Sequence, residues 1–502
     1  MLFNSYTFVF GFLPAVLLVF YGLAVLTRRH VAMLWLVAAS LFYYGWSRPE
    51  NLLLIAVLLV ANYGAGTFLG HNGGKPLGRV VLTVGIAANL GVLGYFKYTN
   101  FLVDTVNTLT GGSWPAANII LPLGLSFFTF QKIAYLVDAY RGRTRGYNFI
   151  DYCLFVTFFP QLIAGPIVHH SEVIPQFSER QDYRPNAEDF SVGLTQFICG
   201  LFKKVVIADR MALYATPIFD VARAGGVPSF LDGWVAALAY SFQLYFDFSG
   251  YSDMALGLGR LFGIRLPLNF NSPYKAENIT EFWRRWHMTL SRFLRDYLYI
   301  PLGGNRRGPI RRYTNLMLTM LLGGLWHGAG WNFVIWGGLH GIYLVIHHAW
   351  RAMRGGSEPG KSPAGLTGLV ARRAVTFFAV MLAWVFFRAG DMGAAKQMLA
   401  SMFGLAGVDL RCSTDLGHAL RALGAVALAV WLFPNTQEWL GRFRPALDYA
   451  EAPAETGRGA VPQWTARFWW KPEWPWALAM GGLALFTLTQ LSRVSEFIYW
   501  QF

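Results

Sequence analysis

Charged residues are scarce in this sequence of 502 residues, since lysine, arginine, aspartate and glutamate together make up only 14% of it. A soluble domain typically carries about 25% charged residues. Hydrophobic residues, by contrast, make up 55% of the chain and aromatic residues 17%. The deficit excludes a conventional soluble domain over most of the chain and favours a helical protein that crosses a membrane many times.

Acidic residues and cysteines are also few. The 27 acidic residues stand against 42 lysines and arginines, which gives a formal net charge of +15. Nucleic-acid binding needs a basic face on a soluble surface, whereas these basic residues form short clusters between apolar runs. We therefore expect no nucleic-acid partner and interpret the clusters as cytoplasmic loops. The three cysteines lie far apart, which excludes a disulfide framework and shows no metal-type spacing.

The familiar catalytic signatures are missing as well. The chain has no His-Glu-x-x-His helix, no Walker loop and no Gly-x-Gly-x-x-Gly after a strand, and neither Ser249 nor Ser252 lies in a Gly-x-Ser-x-Gly turn. His340 and His347 share one face of a predicted helix, but no carboxylate or cysteine stands near them in sequence. We interpret them, with His348, as helix-end histidines at a membrane interface and predict no metal site.

Apolar runs are present along the whole chain, and many approach the roughly 20 residues that cross a bilayer. They predict an all-α polytopic membrane protein with about eleven transmembrane helices in a single domain, residues 1–502. We place the core with the active site at about residues 119–350 and the C-terminal helices in 372–502. The runs lie near residues 5–26, 31–46, 52–69, 79–97, 119–139, 190–216, 232–264, 313–326, 331–349, 372–388, 415–433 and 475–492.

Basic clusters after alternate runs predict the orientation of the chain. Arg28 and Arg29 follow the first run, Lys75 and Arg79 follow the third, and three arginines at 141, 143 and 145 follow the fifth. Cytoplasmic loops carry an excess of lysine and arginine. We therefore expect the N-terminus outside and these loops in the cytoplasm.

Two segments are predicted to lie in the membrane without crossing it. Residues 158–166 are apolar but are interrupted by two prolines and a glycine, which favours a re-entrant element. From Phe282 to Leu298, aromatic and leucine side chains share one face of a helix and arginines fill the other. That pattern is typical of a helix lying in the membrane interface.

Two histidines are the candidate catalytic residues. His327 lies inside the long apolar stretch 316–345, and an ionisable group at membrane depth suggests a functional site. A neutral imidazole there could take a proton from a hydroxyl that attacks an activated acyl group, although a packed histidine bonded to a carbonyl is the structural alternative. His287, forty residues upstream, is the second candidate.

Five further residues are candidates for binding substrate or acyl donor. Arg284 and Arg285 suit an anionic donor near the cytoplasmic face, because arginine matches phosphate geometry. Trp326 and Asn332 flank His327 in sequence. Asp247 belongs to a helix, 232–264, with polar groups at high density, and it could orient a histidine, bind a cation or simply pack inside the protein.

Many short blocks, in order along almost the whole chain, resemble one family. The resemblance is to the membrane-bound O-acyltransferases, in particular the alginate O-acetylase branch. The blocks are Leu121–Gln131, Val137–Gly142, Phe159–Ile167, Gly200–Asp209, Tyr245–Ala255, Asn269–Tyr274, Phe282–His287, Tyr299–Asn305, Leu325–Ala329, Trp384–Ala389, Pro434–Thr436 and Phe497–Phe502.

The resemblance implies a ring of tilted helices around a thin centre, with a tunnel that joins the two sides of the membrane. It implies that His327 is the catalytic histidine and His287 the second active-site histidine. The expected donor is cytoplasmic acetyl-coenzyme A, a substrate, so that no permanently bound cofactor is needed. The acyl group is expected to leave on the periplasmic side, to a partner acetyltransferase or acceptor protein or to an exported polysaccharide, with alginate as the first candidate.

Other functions remain open from the residues. A proton-coupled transporter or channel for an acyl carrier or polysaccharide would use the histidines as proton relays. A scaffold that recruits a periplasmic transferase would need neither histidine. Peptidoglycan, cellulose or another cell-wall polymer could replace alginate as the acceptor.

Overall fold

The computed structural model describes residues 1–26, 29–144, 146–163, 165–178, 183–355, 365–449, 469–491 and 498. Within these residues every regular element is a helix, which confirms the predicted all-α class. Arg28, Arg145 and, apart from Ile498, the C-terminal block Phe497–Phe502 lie outside the described residues.

Five helical segments among the described residues are long and apolar enough to cross a membrane. Their surfaces carry exposed leucines, such as Leu18 at 75% and Leu53 at 74% exposure, which water would not favour and lipid would. The chain is therefore a multi-pass membrane protein, while the predicted number of about eleven spans stays a prediction. The five segments are Thr7–Leu26, Asn51–Asn72, Pro76–Thr110, Ala187–Arg223 and Leu366–Arg388.

The chain divides into two compact packing units, and the first consists of Met1–Phe202, Tyr251–Leu268 and Thr436–Glu496. The described residues of its N-terminal part form ten α-helices and two π-helical segments, Thr7–Phe12 and Gly94–Tyr98. The predicted re-entrant segment forms only a four-residue helix, α8, as its prolines and glycine require. The ten are α1 (Leu13–Leu26), α2 (Arg29–Gly45), α3 (Asn51–Asn72), α4 (Pro76–Leu93), α5 (Thr99–Thr110), α6 (Leu125–Tyr140), α7 (Phe149–Thr157), α8 (Phe159–Leu162), α9 (His170–Ser178) and α10 (Ala187–Phe202).

The second unit consists of Lys203–Gly250, Asn269–Asn435 and Phe497–Phe502. It includes π-helical segments at Lys203–Ala208 and Arg295–Tyr299 and a short 3₁₀ helix at Pro273–Lys275. Its helices are α11 (Asp209–Arg223), the first part of α12 (Phe230–Leu261), α13 (Ile279–Arg285), α14 (Met288–Leu294), α15 (Gly308–His327), α16 (Trp331–Met353), α17 (Leu366–Arg388), α18 (Met392–Met402) and α19 (Leu416–Leu432).

The chain then returns to the first unit through α20 (Thr436–Trp439), a 3₁₀ turn at Gly441–Phe443, and α21 (Trp474–Thr489). The polar side chains of α12 are buried, as the sequence predicted. Asp247, Ser249 and Asp253 are each at most 2% exposed. These groups must therefore be satisfied inside the protein.

The prediction of one interfacial helix over Phe282–Leu298 was wrong. The chain makes three pieces there, because α13 ends at Arg285, α14 begins at Met288, and a π-helical segment follows from Arg295. Phe282, Trp286 and Leu290 are buried, as the amphipathic pattern indicated. The helical pattern identified the buried face but not the break, which falls at His287.

Candidate active site

An antiparallel pair of helices, α15 and α16, carries His327. Glycines allow the two backbones to approach, since a Cβ at Gly324 would lie 2.2 Å from the carbonyl oxygen of Phe333. A Cβ at Gly337 would lie 2.3 Å from the carbonyl oxygen of Met320. Only glycine is tolerated at such distances. The close contact places His327, the last residue of α15, beside the first turns of α16.

His327 is buried among aromatic rings. Its exposure is 4%. Its ring centroid lies 5.0 Å from that of Trp326, 5.0 Å from that of Trp336 on α16, and 5.4 Å from that of Phe387 on α17. Such walls exclude water and strengthen electrostatic interactions inside the pocket.

His287 lies next to His327. The two imidazole centroids are 6.3 Å apart, and Trp326 contacts both rings, with its centroid 6.4 Å from that of His287. Phe248 of α12 packs against the other side of His287, at 4.8 Å and 87°. The fold therefore brings together the two histidines that the sequence singled out.

A short segment, residues 269–271, holds the chain at the break between α13 and α14. The Met288 N–H donates to the carbonyl oxygen of Asn269, and the Asn271 N–H donates to that of Arg285, both at 2.9 Å. His287 itself has φ +42°, in the left-handed region. A non-glycine residue there costs about 1–3 kcal/mol and persists only where the surroundings impose it. The backbone conformation at the break therefore fixes the direction of the His287 side chain.

The Asn269 side chain determines the tautomer of His287. Its Oδ1 lies 3.0 Å from His287 Nδ1 and also accepts from the Thr289 hydroxyl at 2.9 Å. Because an amide oxygen only accepts, Nδ1 of His287 carries the proton and Nε2 is the basic nitrogen. His287 lies outside the five candidate spans, and burial lowers its pKa to about 3, so that the ring is neutral at physiological pH.

Comparison with known proteins now identifies the family. The family model of MBOAT, the membrane-bound O-acyltransferase family, matches residues 26–388, which include both histidines and Asn269. This chain is a membrane-bound O-acyltransferase. Membership of this family means that the chain is an enzyme and not the transporter or scaffold considered as alternatives.

Curated relatives support the same family. The chain is 45% identical over 436 residues to the peptidoglycan O-acetyltransferase of Helicobacter pylori, covering 82% of this chain and 81% of that protein. It is 44% identical over 442 residues to the probable alginate O-acetylase AlgI of Azotobacter vinelandii, covering 86% of this chain and 85% of that protein. It is also 44% identical over 409 residues to the probable alginate O-acetylase AlgI of Pseudomonas aeruginosa, covering 80% of this chain and 75% of that protein.

Two further residues of this acyltransferase were not recognised as site residues in its sequence. Asn269 begins one of the family-like blocks, and that position was the only available signal. Trp336 faces His327 from α16, and its buried Nε1–H has no hydrogen-bond partner among the described residues. Nothing in the local sequence distinguishes it from an ordinary packed tryptophan.

Two of the remaining candidate residues near the histidines, Asn332 and Arg285, are engaged with other protein groups. Asn332 donates from its amide nitrogen to the carbonyl oxygen of Ala389 at 2.8 Å, which holds the end of α17 beside α16. Arg285 pairs with Glu281, Nη2 to Oε1 at 2.8 Å, whereas Arg284 is exposed. Donor binding by these residues stays a prediction.

Asp247 is part of a buried ion cluster. Its Oδ1 lies 2.7 Å from Nζ of Lys204, which also contacts Oδ1 of Asp209 at 2.9 Å. The backbone N–H of Ile498 donates to Oδ2 of Asp247 at 3.2 Å. These contacts describe packing inside the protein, which is one of the three roles considered for Asp247.

The interpretation of His340 as a helix-end residue was wrong. It lies inside α16, is fully buried, and packs edge-to-face against Trp336 at 4.9 Å and Trp283 at 5.1 Å between ring centroids. His347 and His348 are partly exposed towards the end of α16, and His348 Nδ1 accepts from Arg312 at 3.0 Å. The sequence did not distinguish these histidines because all lie on one helix.

Proposed function

We propose that this acyltransferase transfers an acetyl group from acetyl-coenzyme A, supplied from the cytoplasm, towards hydroxyl groups of an exported polysaccharide at the bacterial inner membrane. The relatives named for peptidoglycan and alginate acetylation support both the acetyl group and a polysaccharide acceptor. The observation that carries the chemistry is the buried pair His287 and His327, 6.3 Å apart, with the tautomer of His287 held by Asn269.

In the proposed reaction His327 is the general base. It takes the proton of the acceptor hydroxyl while that oxygen attacks the thioester carbonyl carbon. The tetrahedral intermediate then loses the sulfur, the C–S bond breaks, and the imidazolium of His327 returns its proton to the thiolate. The products are an ester and free coenzyme A. A thioester drives ester formation without another energy source.

The proposed role of His287 is to orient the attacking hydroxyl. A second histidine beside the base could either orient a reactant or polarise the thioester carbonyl. Polarisation needs a hydrogen-bond donor, but the proton of His287 is on Nδ1 and is directed to Asn269. Nε2 can accept a hydrogen bond from a hydroxyl. The geometry therefore favours the orienting role.

Trp336 is the donor that we propose for the developing oxyanion. Trp336→Phe should keep the packing against His327 but remove the indole N–H. Loss of one such donor typically lowers kcat by about 10²- to 10³-fold. We expect this loss with little change in the KM for acetyl-coenzyme A. Trp350→Phe, at an exposed position of the same helix, is the matched control and should retain its rate; equal rates in the two variants would remove Trp336 from the mechanism.

Asn269 is proposed as a positioning residue. Asn269→Ala should lower kcat by up to about 10²-fold, because misplacement of a reacting group by about 1 Å costs that much. Asn269→Asp should recover much of the rate, since a carboxylate oxygen also accepts from Nδ1–H. Asn271→Ala is the control, because that side chain bonds to Asn435 instead. No recovery in Asn269→Asp, with a stable protein, would assign Asn269 a purely structural role.

The proposed route places donor and acceptor on opposite sides of the membrane, joined by a tunnel at the histidines. Trp326 and Asn332 are proposed to line the substrate pocket, Asp247 to hold the adjoining part of α12, and Arg284 and Arg285 to attract the anionic donor. A periplasmic acetyltransferase or acceptor protein is the proposed partner that receives the acetyl group before or with the polysaccharide.

Transfer into sealed vesicles tests this proposal. The protein is reconstituted alone, labelled acetyl-coenzyme A is supplied on the face corresponding to the cytoplasm, and alginate or peptidoglycan fragments are enclosed in the vesicle. Ester-linked label on one enclosed glycan supports the proposal and names the acceptor. Label that appears only when a periplasmic fraction is enclosed indicates a protein intermediate. Label that never leaves acetyl-coenzyme A in any arrangement contradicts the proposed donor.

A further inference from the structure

A second cluster of ionisable side chains lies in the first unit, outside the catalytic pair. It joins Asp138 near the end of α6 with His169 and His170 at the start of α9. We propose that these three side chains form a binding site for a divalent transition-metal ion of the zinc class. The site is independent of the proposed acetyl transfer, and its test does not depend on activity.

The positions of the ligand atoms suit a metal ion. Oδ2 of Asp138 lies 2.9 Å from Nε2 of His169 and 3.2 Å from Nε2 of His170. All three ligand atoms lie within 4.8 Å of one another. In a tetrahedral zinc site, bonds of about 2.0–2.2 Å hold the ligand atoms roughly 3.3 Å apart. Small side-chain shifts therefore suffice to surround an ion.

Both imidazoles are oriented by a hydroxyl on the opposite ring nitrogen. Nδ1 of His169 lies 2.6 Å from Oγ of Ser171 and accepts from the Ser171 backbone N–H at 3.3 Å, and Nδ1 of His170 lies 3.1 Å from Oη of Tyr147. Metal binding requires the proton of each ring to be on Nδ1, where the hydroxyl can accept it, and at His169 this replaces the bond from the Ser171 N–H. Without an ion, both Nε2 lone pairs would then repel the same carboxylate oxygen. A cation between them removes that repulsion. Metal-ligating histidines almost always have such a partner on the second nitrogen.

The carboxylate is divided between two kinds of contact. Arg141 and Arg143 approach Oδ1 of Asp138, at 3.2 and 3.5 Å, and leave Oδ2 directed at the histidines. Both arginines are partly exposed, with side chains 42% and 65% accessible, so that solvent screens much of their repulsion for a cation. They fix the orientation of the carboxylate that the site requires.

The site is largely buried, and one side of it is open. The side chains of Asp138 and His170 are each 1% exposed, whereas that of His169 is 26% exposed. Three protein ligands leave a fourth position for water, and the exposed side of His169 is where water would reach it. Two imidazoles and one carboxylate suit zinc better than the hard cations magnesium and calcium. The ion would tie the end of α6 to the start of α9.

Zinc binding to the full-length protein tests the site. The protein is purified with an affinity tag that lacks histidine, stripped with a chelator and titrated with zinc against a chromophoric competitor. We expect one zinc ion per chain for the wild type and at least a tenfold loss of affinity in His169→Ala and His170→Gln. Affinity should fall with decreasing pH, because protons compete for the imidazoles.

His418→Ala is the matched control, because His418 pairs with Asp415 at 2.8 Å but belongs to no group of three potential metal ligands among the described residues. It should bind zinc like the wild type. Cobalt substitution of the wild type needs no variant and should give the visible absorption of tetrahedral Co²⁺. Wild-type zinc affinity equal to that of a monodisperse His169→Ala, or a cobalt spectrum without that absorption, would overturn the proposal in favour of two imidazole N–H groups bonded to a buried carboxylate.

Discussion

His327→Gln should lower the rate of acetyl transfer by about 10²- to 10⁴-fold, the contribution of a general base. Glutamine has a similar polar end but cannot accept a proton at neutral pH. The pocket of Trp326, Trp336 and Phe387 should keep its shape, because the α15–α16 contact rests on glycines away from the ring. The measurement is the initial rate of ester formation in reconstituted vesicles at matched protein level.

The control for this result separates chemistry from folding and from binding. His418→Gln changes an exposed histidine of the same unit and should leave the rate unchanged. Binding of acetyl-coenzyme A to His327→Gln should remain within about twofold of the wild type, because a general base acts mainly in the transition state. A variant that retains the wild-type rate would remove His327 as the base and make His287 the leading candidate.

Lys204→Met should destabilise the protein by about 3–5 kcal/mol, which is the usual cost of removing one partner of a buried ion pair. The side chains of Lys204 and Asp247 are only 4% and 0% exposed. Methionine keeps most of the unbranched side chain but leaves the Asp247 carboxylate without its cation in a dry environment. The measurement is the loss of monodisperse protein on heating in detergent, compared with the wild type.

A double variant tests the physical reason. Lys204→Met/Asp247→Leu removes both charges and should recover much of the lost stability, since an apolar pair of similar volume often replaces a buried ion pair without cost. Arg411→Met breaks an ion pair with Asp409 whose arginine side chain is 90% exposed, and it should leave the melting temperature unchanged. A double variant as unstable as the single one would mean that lost packing, not the unpaired charge, causes the effect.

The sequence predicted the helical membrane class, the family and the two histidines because each leaves a local signal. The small proportion of charged residues and the long apolar runs indicate that the chain lies in a lipid bilayer. A histidine in an apolar run can be recognised from the sequence whatever the tertiary structure. The buried polar face of α12 was predicted for the same reason, because polar groups in a long apolar helix must face protein.

The break at His287 and the role of Asn269 could not be predicted in this way. The aromatic residues of 282–298 keep a helical period through the break, and the chain is interrupted by hydrogen bonds from residues 269–271. Asn269 and His287 are 18 residues apart in two separate family-like blocks, and neither block indicates that the two side chains meet. Tertiary packing determines that Asn269 becomes the hydrogen-bond partner of His287, and such packing leaves no periodic pattern in the sequence.

The cluster of Asp138, His169 and His170 shows the same limit. Asp138 lies in one family-like block, and the two histidines follow the next block, more than thirty residues later. Sequence by itself determined which solvent this chain occupies and which residue types can perform acyl transfer, because composition and period act locally. Only the tertiary structure decided which side chains meet, since distances between α6 and α9, or between Asn269 and His287, result from long-range packing.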